Sequence, residues 1–183
     1  MKLIARWSLM RNTSSENVAE HSLQVAQVAH ALALIKNKYF EGSVNADKVA
    51  VLALYHDASE VITGDLPTPV KYFSTKIQDA YKDIEAQAEN QLLKLLPEGL
   101  RSEYKPLIQQ KEADAEFVKL VKAADSICAY LKCLEEKNSG NHEFSLAQKT
   151  IEAKLLQMQL PEVQHFLKEF VPSFSLTLDE LNR

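Results

Sequence analysis

Four residues interrupt the apolar stripes of the helices predicted to carry them. His21 shares a face with Val18, Val25, Val28 and Leu32 at helical spacing. His56 and Asp57 follow directly on the apolar run Val51-Leu52-Ala53-Leu54-Tyr55. Asp125 stands between Val118, Val121 and Cys128, at i−7, i−4 and i+3. Each has a plain structural explanation on its own: a hydrogen-bonded core histidine for His21, a polar pair at a helix end for His56-Asp57, a buried ion pair for Asp125. A buried carboxylate needs a partner under any of them. Taken together, two imidazoles and two carboxylates on three helices would satisfy one another around a single divalent cation. That donor set suits a borderline to hard ion such as Mn, Co, Fe, Ni or Zn, and it offers no thiolate. Four protein ligands leave one or two positions for a water and an anionic oxygen, as metal-assisted hydrolysis requires. The rival reading of the same residues is a helical interaction protein without metal, its inward polar groups tied up in private salt bridges.

The elements that must position these residues read as helices nearly throughout. The first spans about residues 16–38, with Ser14 or Ser15 as its cap. A loop around Gly42 and Ser43 follows, and Asn45 caps a second helix. Its middle, residues 49–55, is apolar nearly all round, which predicts burial on most sides. This helix is expected to continue through His56 and Asp57 to near Gly64, where Leu66-Pro67-Thr68-Pro69 cannot extend it. A third helix covers about residues 74–96 and stops at Pro97, and residues 98–111 hold a short one. A long helix over about residues 113–137 carries Asp125 and closes at Asn138-Ser139-Gly140. Further helices are expected over about 141–159, from Pro161 to before Pro172, and around Asp179. The fold class is all-α, with residues 1–183 forming one domain.

Composition narrows the function. The 183 residues are 46% hydrophobic and 25% charged, enough for a real core. A net charge of −4 argues against a protein that coats a nucleic acid polymer through bulk positive charge. With 4 Gly there is neither a GxGxxG nor a GxxxxGK phosphate cradle. Cys128 and Cys133, five apart in one helix, face different ways and read as reduced thiols. No 18-residue apolar run and no signal peptide are present, so the expectation is a cytoplasmic protein without a membrane partner.

The order His21, His56-Asp57, Asp125 on a helical background resembles the HD-domain superfamily of metal-dependent phosphohydrolases. The flanking residues are more specific. Arg6-Trp7-Ser8-Leu9-Met10-Arg11-Asn12, Glu16-Asn17-Val18-Ala19-Glu20-His21-Ser22, Tyr55-His56-Asp57-Ala58-Ser59-Glu60 and Gly64-Asp65-Leu66-Pro67-Thr68-Pro69 resemble the bacterial HD-domain 5'-deoxynucleotidases of the YfbR type. The likeness continues through Lys122-Ala123-Ala124-Asp125 to Phe170-Val171-Pro172-Ser173-Phe174. It implies an HD-domain helical bundle, hydrolysis of deoxyribonucleoside 5'-monophosphates, and a homodimer. It implies His21, His56, Asp57 and Asp125 as metal ligands, with Asp57 and Asp125 also facing substrate, and Glu60 as the catalytic carboxylate. On a continuous helix Glu60 would lie one turn beyond His56 on the same face. Arg6 matches the residue that holds the phosphate and balances its charge, and Trp7 the residue that leaves no room for a 2'-hydroxyl. Asp65, Leu66, Pro67 and Thr68 match the substrate loop.

HD proteins with several metals carry extra histidines between the doublet and the last Asp. None lies between His56 and Asp125, and His30, His142 and His165 do not extend the site. One divalent ion is therefore expected: Co, Mn or another transition metal. The resemblance also implies roughly a dozen further residues ahead of Arg6, in a first helix. So near the start of the sequence, Arg6 and Trp7 need tertiary contacts to stay in place. Two other readings share these motifs: an HD phosphohydrolase acting on another nucleotide phosphoester, and a nucleotide sensor without turnover.

Overall fold

The computed structural model describes residues 1–182, apart from the side chain of Glu112. Among the described residues ten α-helices follow in order: α1 (Val18–Tyr39), α2 (Ala46–Leu54), α3 (Glu60–Thr63), α4 (Thr68–Lys71), α5 (Thr75–Leu95), α6 (Glu98–Ile108), α7 (Ala115–Asn138), α8 (Ser145–Gln157), α9 (Pro161–Glu169) and α10 (Leu178–Leu181). Single 3-10 turns lie at Gln110–Glu112, His142–Phe144 and Val171–Ser175. The described residues contain no β-strand, only an isolated bridge between Ala5 and Asn17.

The core lies where α1, α2 and α7 meet, closed by α8 and α9. Val25, Leu32, Val49, Leu52, Leu120, Ile127, Leu155 and Val163 are buried there. Each large aliphatic side chain removed from water contributes about 1.5–3 kcal/mol. This rigid centre holds His21 on α1 and Asp125 on α7. The α5–α6 hairpin packs beside it and meets the flank of the site at Tyr55, whose ring meets Tyr104 edge-on, at α3 and at the segment after α3. There the Tyr81 hydroxyl donates to the Gly64 carbonyl at 3.2 Å.

Three boundaries differ from the expectation. Helix α1 is capped by Asn17, not by Ser14 or Ser15. The Asn17 side chain accepts from the amides of Ala19 and Glu20 at 3.0 Å, and Glu20 reaches back to the Asn17 amide at 3.1 Å. Ser14 is engaged elsewhere: its carbonyl accepts from Lys132 Nζ at 2.6 Å. Asn45 caps α2 as expected, accepting from the Lys48 amide, but α2 stops at Leu54. His56 Nδ1 lies 2.7 Å from the Ala53 carbonyl, the acceptor that the Asp57 amide would use in a continuing helix. The chain turns through residues 55–59 before α3 begins. Nor is α2 enclosed on most sides, since Val51 is 42% exposed and only Val49, Leu52 and Ala53 are buried. The helix expected over 141–159 starts with a 3-10 turn before α8.

Candidate metal and phosphate site

The turn that ends α2 brings His56 and Asp57 against His21. His21, His56 and Asp57 each offer one ligand atom, all within 4.8 Å of one another. Asp57 Oδ2 is the hub, 3.0 Å from His56 Nε2 and 3.6 Å from His21 Nε2. Asp125 stands outside that triad, but its Oδ1 lies 3.2 Å from His21 Nε2. Its side chain is 42% exposed, so the cluster has a mouth to solvent.

The two Nε2 atoms carry the chemical argument. Both are buried and neither has a hydrogen-bond partner among the described residues, although carboxylate oxygens lie close by. The distances are short, but the directions are wrong for a bond. The contact of His56 Nδ1 with the Ala53 carbonyl requires a proton at Nδ1, so in the neutral ring the lone pair is at Nε2, facing a carboxylate. Donor atoms of two imidazoles and the Asp57 carboxylate therefore converge, with the Asp125 carboxylate beside His21, in a setting that needs positive charge. A divalent cation fits this set, and its hard and borderline donors exclude a soft thiolate site. Cys128 lies one turn beyond Asp125, and burial, followed by the nearby Asp125, pushes its thiol far above the usual range.

The electrostatics agree. Burial alone would raise Asp125, but His21, His56 and Arg6 hold its carboxyl well below the usual range. Asp57 is likewise opposed by burial and lowered by His56. His56 is disfavoured as a cation by burial, yet Asp57 and Asp125 raise its pKa. Glu60 differs. Burial, with Asp57 and Asp65 adding, pushes it up to about 8. Its Oε2 is buried without a hydrogen-bond partner among the described residues. Glu60 reaches this setting from the first turn of α3, not from a continuation of α2, so the one-turn argument from the sequence does not hold.

Arg6 joins the cluster. Its Nη1 is 3.8 Å from Asp57 Oδ2, and its Nε donates to Glu16 Oε1 at 2.6 Å. Its main chain is tied down as well: the Arg6 amide donates to the Glu16 carbonyl, and the Val18 amide to the Ile4 carbonyl. Trp7 follows with φ of 56°, in the left-handed region. Its ring packs on Phe144 with centroids 5.2 Å apart, and its buried indole N–H has no partner among the described residues. Asp65 lies within electrostatic reach of Arg6 and Asp57 and is raised mainly by burial. Leu66 and Pro67 follow half-buried, and Thr68 opens α4 exposed. His30 pairs with Asp47 and His165 stacks on Tyr39, both outside the cluster.

Three contributors lie outside the candidate set: Glu16, at the expected start of the first helix, and Lys132 and Glu136, inside the long helix that carries Asp125. Glu136 accepts from the Thr13 amide, the Thr13 hydroxyl and Asn141, and pairs with Lys132 at 2.6 Å. This pair anchors the segment that follows Trp7. The only local signal was the odd placement of Lys132 and Glu136, seven and eleven residues beyond Asp125 on the same stripe of α7.

The family model described as "5'-deoxynucleotidase YfbR-like" matches residues 1–174. A 5'-deoxynucleotidase of Vibrio vulnificus is 59% identical over 182 residues, covering 100% of this chain and 94% of that protein. The 5'-deoxynucleotidase YfbR of Shigella dysenteriae is 56% identical, covering 100% and 92%. Among solved structures, an HD-domain phosphohydrolase from Listeria innocua superposes with a TM-score of 0.82 at 23% identity, covering 99% and 87%. The cyanophage S-2L HD phosphohydrolase DatZ, solved with dA and one catalytic zinc ion, gives 0.61 at 20% identity, covering 95% and 91%. These two likenesses concern the fold.

Proposed function

Because this chain belongs to the YfbR-like family of 5'-deoxynucleotidases, we propose that it hydrolyses deoxyribonucleoside 5'-monophosphates to a deoxynucleoside and inorganic phosphate. The observation that carries this reading is the pair of orphaned Nε2 atoms converging with two carboxylates beside a buried guanidinium.

In this reading His21, His56, Asp57 and Asp125 hold one divalent ion: cobalt, manganese or another transition metal. When bound, such an ion makes water a nucleophile near neutral pH and draws charge from a phosphoryl oxygen. Arg6 grips the phosphate and offsets the charge that develops as the bond to the 5'-oxygen breaks. Glu60 takes a proton from the attacking water and passes it to the departing 5'-oxygen. Burial and Asp57 raise Glu60 in the metal-free protein, and beside a divalent ion it would return toward the carboxylate form that accepts a proton. Trp7, braced on Phe144, packs on the sugar and leaves no space for a 2'-hydroxyl. Asp65, Leu66, Pro67 and Thr68 close on the substrate, their loop stiffened by Pro67 and Pro69. Residues 1–183 act as a single domain around one apolar core. The protein works as a homodimer, for which exposed Phe170 and Phe174 beside buried Phe166 supply apolar surface. It works in the cytoplasm, in keeping with two free buried cysteines.

The test strips the protein with chelator, restores Co, Mn, Mg or Zn singly, and measures phosphate release from dAMP and AMP. Metal-dependent release from dAMP and not from AMP is expected. Release from both would remove Trp7 from its role. Release from neither, with metal bound, would overturn the deoxynucleotidase reading in favour of another phosphoester or a sensor.

A further inference from the structure

Glu16 belongs neither to the four-residue metal set nor to the residues matched to substrate, yet its carboxylate joins the two halves of the site. One oxygen, Oε1, accepts from Arg6 Nε at 2.6 Å and faces His21 Nδ1 at 3.7 Å. The side chain is only 10% exposed, so both contacts lie in a setting where charge is poorly screened. The backbone repeats the link, the Arg6 amide donating to the Glu16 carbonyl at 2.9 Å. Capping does not account for the carboxylate, because Asn17 and Glu20 cap α1 without it.

Each contact has a separate effect. A bond at Nε fixes the plane of the guanidinium and leaves its terminal nitrogens to meet an anion. Nη1 already faces Asp57 Oδ2 at 3.8 Å. On His21, a carboxylate on the Nδ1 side favours the proton there and leaves Nε2 as a lone pair. That is the atom left without a partner toward Asp57 and Asp125. A carboxylate behind a ligating imidazole orients the ring and strengthens its donor atom.

We propose that Glu16 is a positioning residue that sets the phosphate-gripping Arg6 and the metal-binding His21 from a single carboxylate, coupling the two affinities. This rests on the roles given to Arg6 and His21 above. The test compares wild type, Glu16→Ala, Glu16→Gln and Arg6→Ala after chelator treatment. Cobalt affinity is measured by calorimetry and by the visible absorbance of the bound ion, and inorganic phosphate affinity on the cobalt-loaded proteins.

Glu16→Ala is expected to lose about 10–100-fold in cobalt affinity, with a parallel loss in phosphate affinity. Glu16→Gln keeps an acceptor but no charge, and loses less in both. Arg6→Ala loses phosphate alone. Cobalt binding by both Glu16 variants at the wild-type level overturns the coupling, even if phosphate binding falls. Should Glu16→Ala not fold, the near-isosteric Gln variant carries the same two readouts. The function reading fails separately: wild type that releases no phosphate from dAMP, alongside Glu16 variants that still lose cobalt, removes the activity and keeps the coupling.

Discussion

Helix α7 carries two ionic clusters on one stripe, one closed and one open to solvent. At Lys132–Glu136 every demand is met. Glu136 is 0% exposed and accepts from Lys132 Nζ at 2.6 Å, Asn141 Nδ2 at 2.7 Å, the Thr13 hydroxyl at 2.8 Å and the Thr13 amide at 2.9 Å. Its carboxyl is held well below the usual range despite burial, chiefly by Lys132 and Thr13. At Asp125 the neighbours are His21, His56 and Asp57, two imidazole nitrogens have no bond, and the cluster opens to solvent. Burial and charge do not separate a structural pair from a site here. Unspent lone pairs beside an opening do.

The comparison can be broken at either end. The largest effect is expected from Asp57→Ala, which removes the hub oxygen. Cobalt uptake by the stripped protein and phosphate release from dAMP should both fall to background, and retention of either would dissolve the cluster as a site. Next is Glu136→Ala, which leaves Lys132 charged and unpaired under the thin cover of residues 11–14. A loss of roughly 3 kcal/mol in urea unfolding is expected, the lower end for breaking a buried pair. Metal affinity should stay near wild type, and a cost below about 0.5 kcal/mol would make this an ordinary surface pair. Trp7→Ala should cut the preference for dAMP over AMP on the order of 10-fold, the scale of one steric exclusion in a pocket. An unchanged ratio would move the sugar selectivity elsewhere.

The last test is a contrast in pH dependence. Glu60 rises from its usual 4.5 to about 8 on folding, so its ionisation costs stability increasingly as pH climbs through that window. Metal-free Glu60→Gln should match wild type near pH 5 and melt higher than wild type at pH 8. Glu136 has the opposite sign: its contribution is present above its usual 4.5 and is lost as pH falls below. Parallel melting curves for Glu60→Gln and wild type across pH 5–8 would refute the first half.

The helical fold was legible because the apolar spacing on α1 and α7 is long and regular, and because Asn45, Ser74 and Pro161 mark helix starts locally. What the sequence hid depended on distant partners. Ser14 looks like a cap, but its backbone is claimed by Lys132 and Glu136 over a hundred residues away. Nothing in Leu54-Tyr55-His56-Asp57 breaks a helix by composition. The break comes from the His56 ring competing for the Ala53 carbonyl. Asp57 and Asp125 stood out as carboxylates on apolar runs, whereas Glu16 precedes its helix in a polar stretch and has no stripe to interrupt.

The tether of residues 11–14 also has a consequence for synthesis. Thr13 and Arg11 are bound by Glu136, Asn141 and Glu143, between 123 and 132 residues further along the chain. Closing so long a loop must await its distant half. A nascent chain on the ribosome can therefore assemble α1 and α2 early, together with the Ile4–Val18 and Arg6–Glu16 links, but residues 11–14 stay undocked until translation has passed Glu143. The surroundings of Trp7 are thus completed late in biogenesis, and fragments released early would lack both this tether and the packing of Trp7 on Phe144.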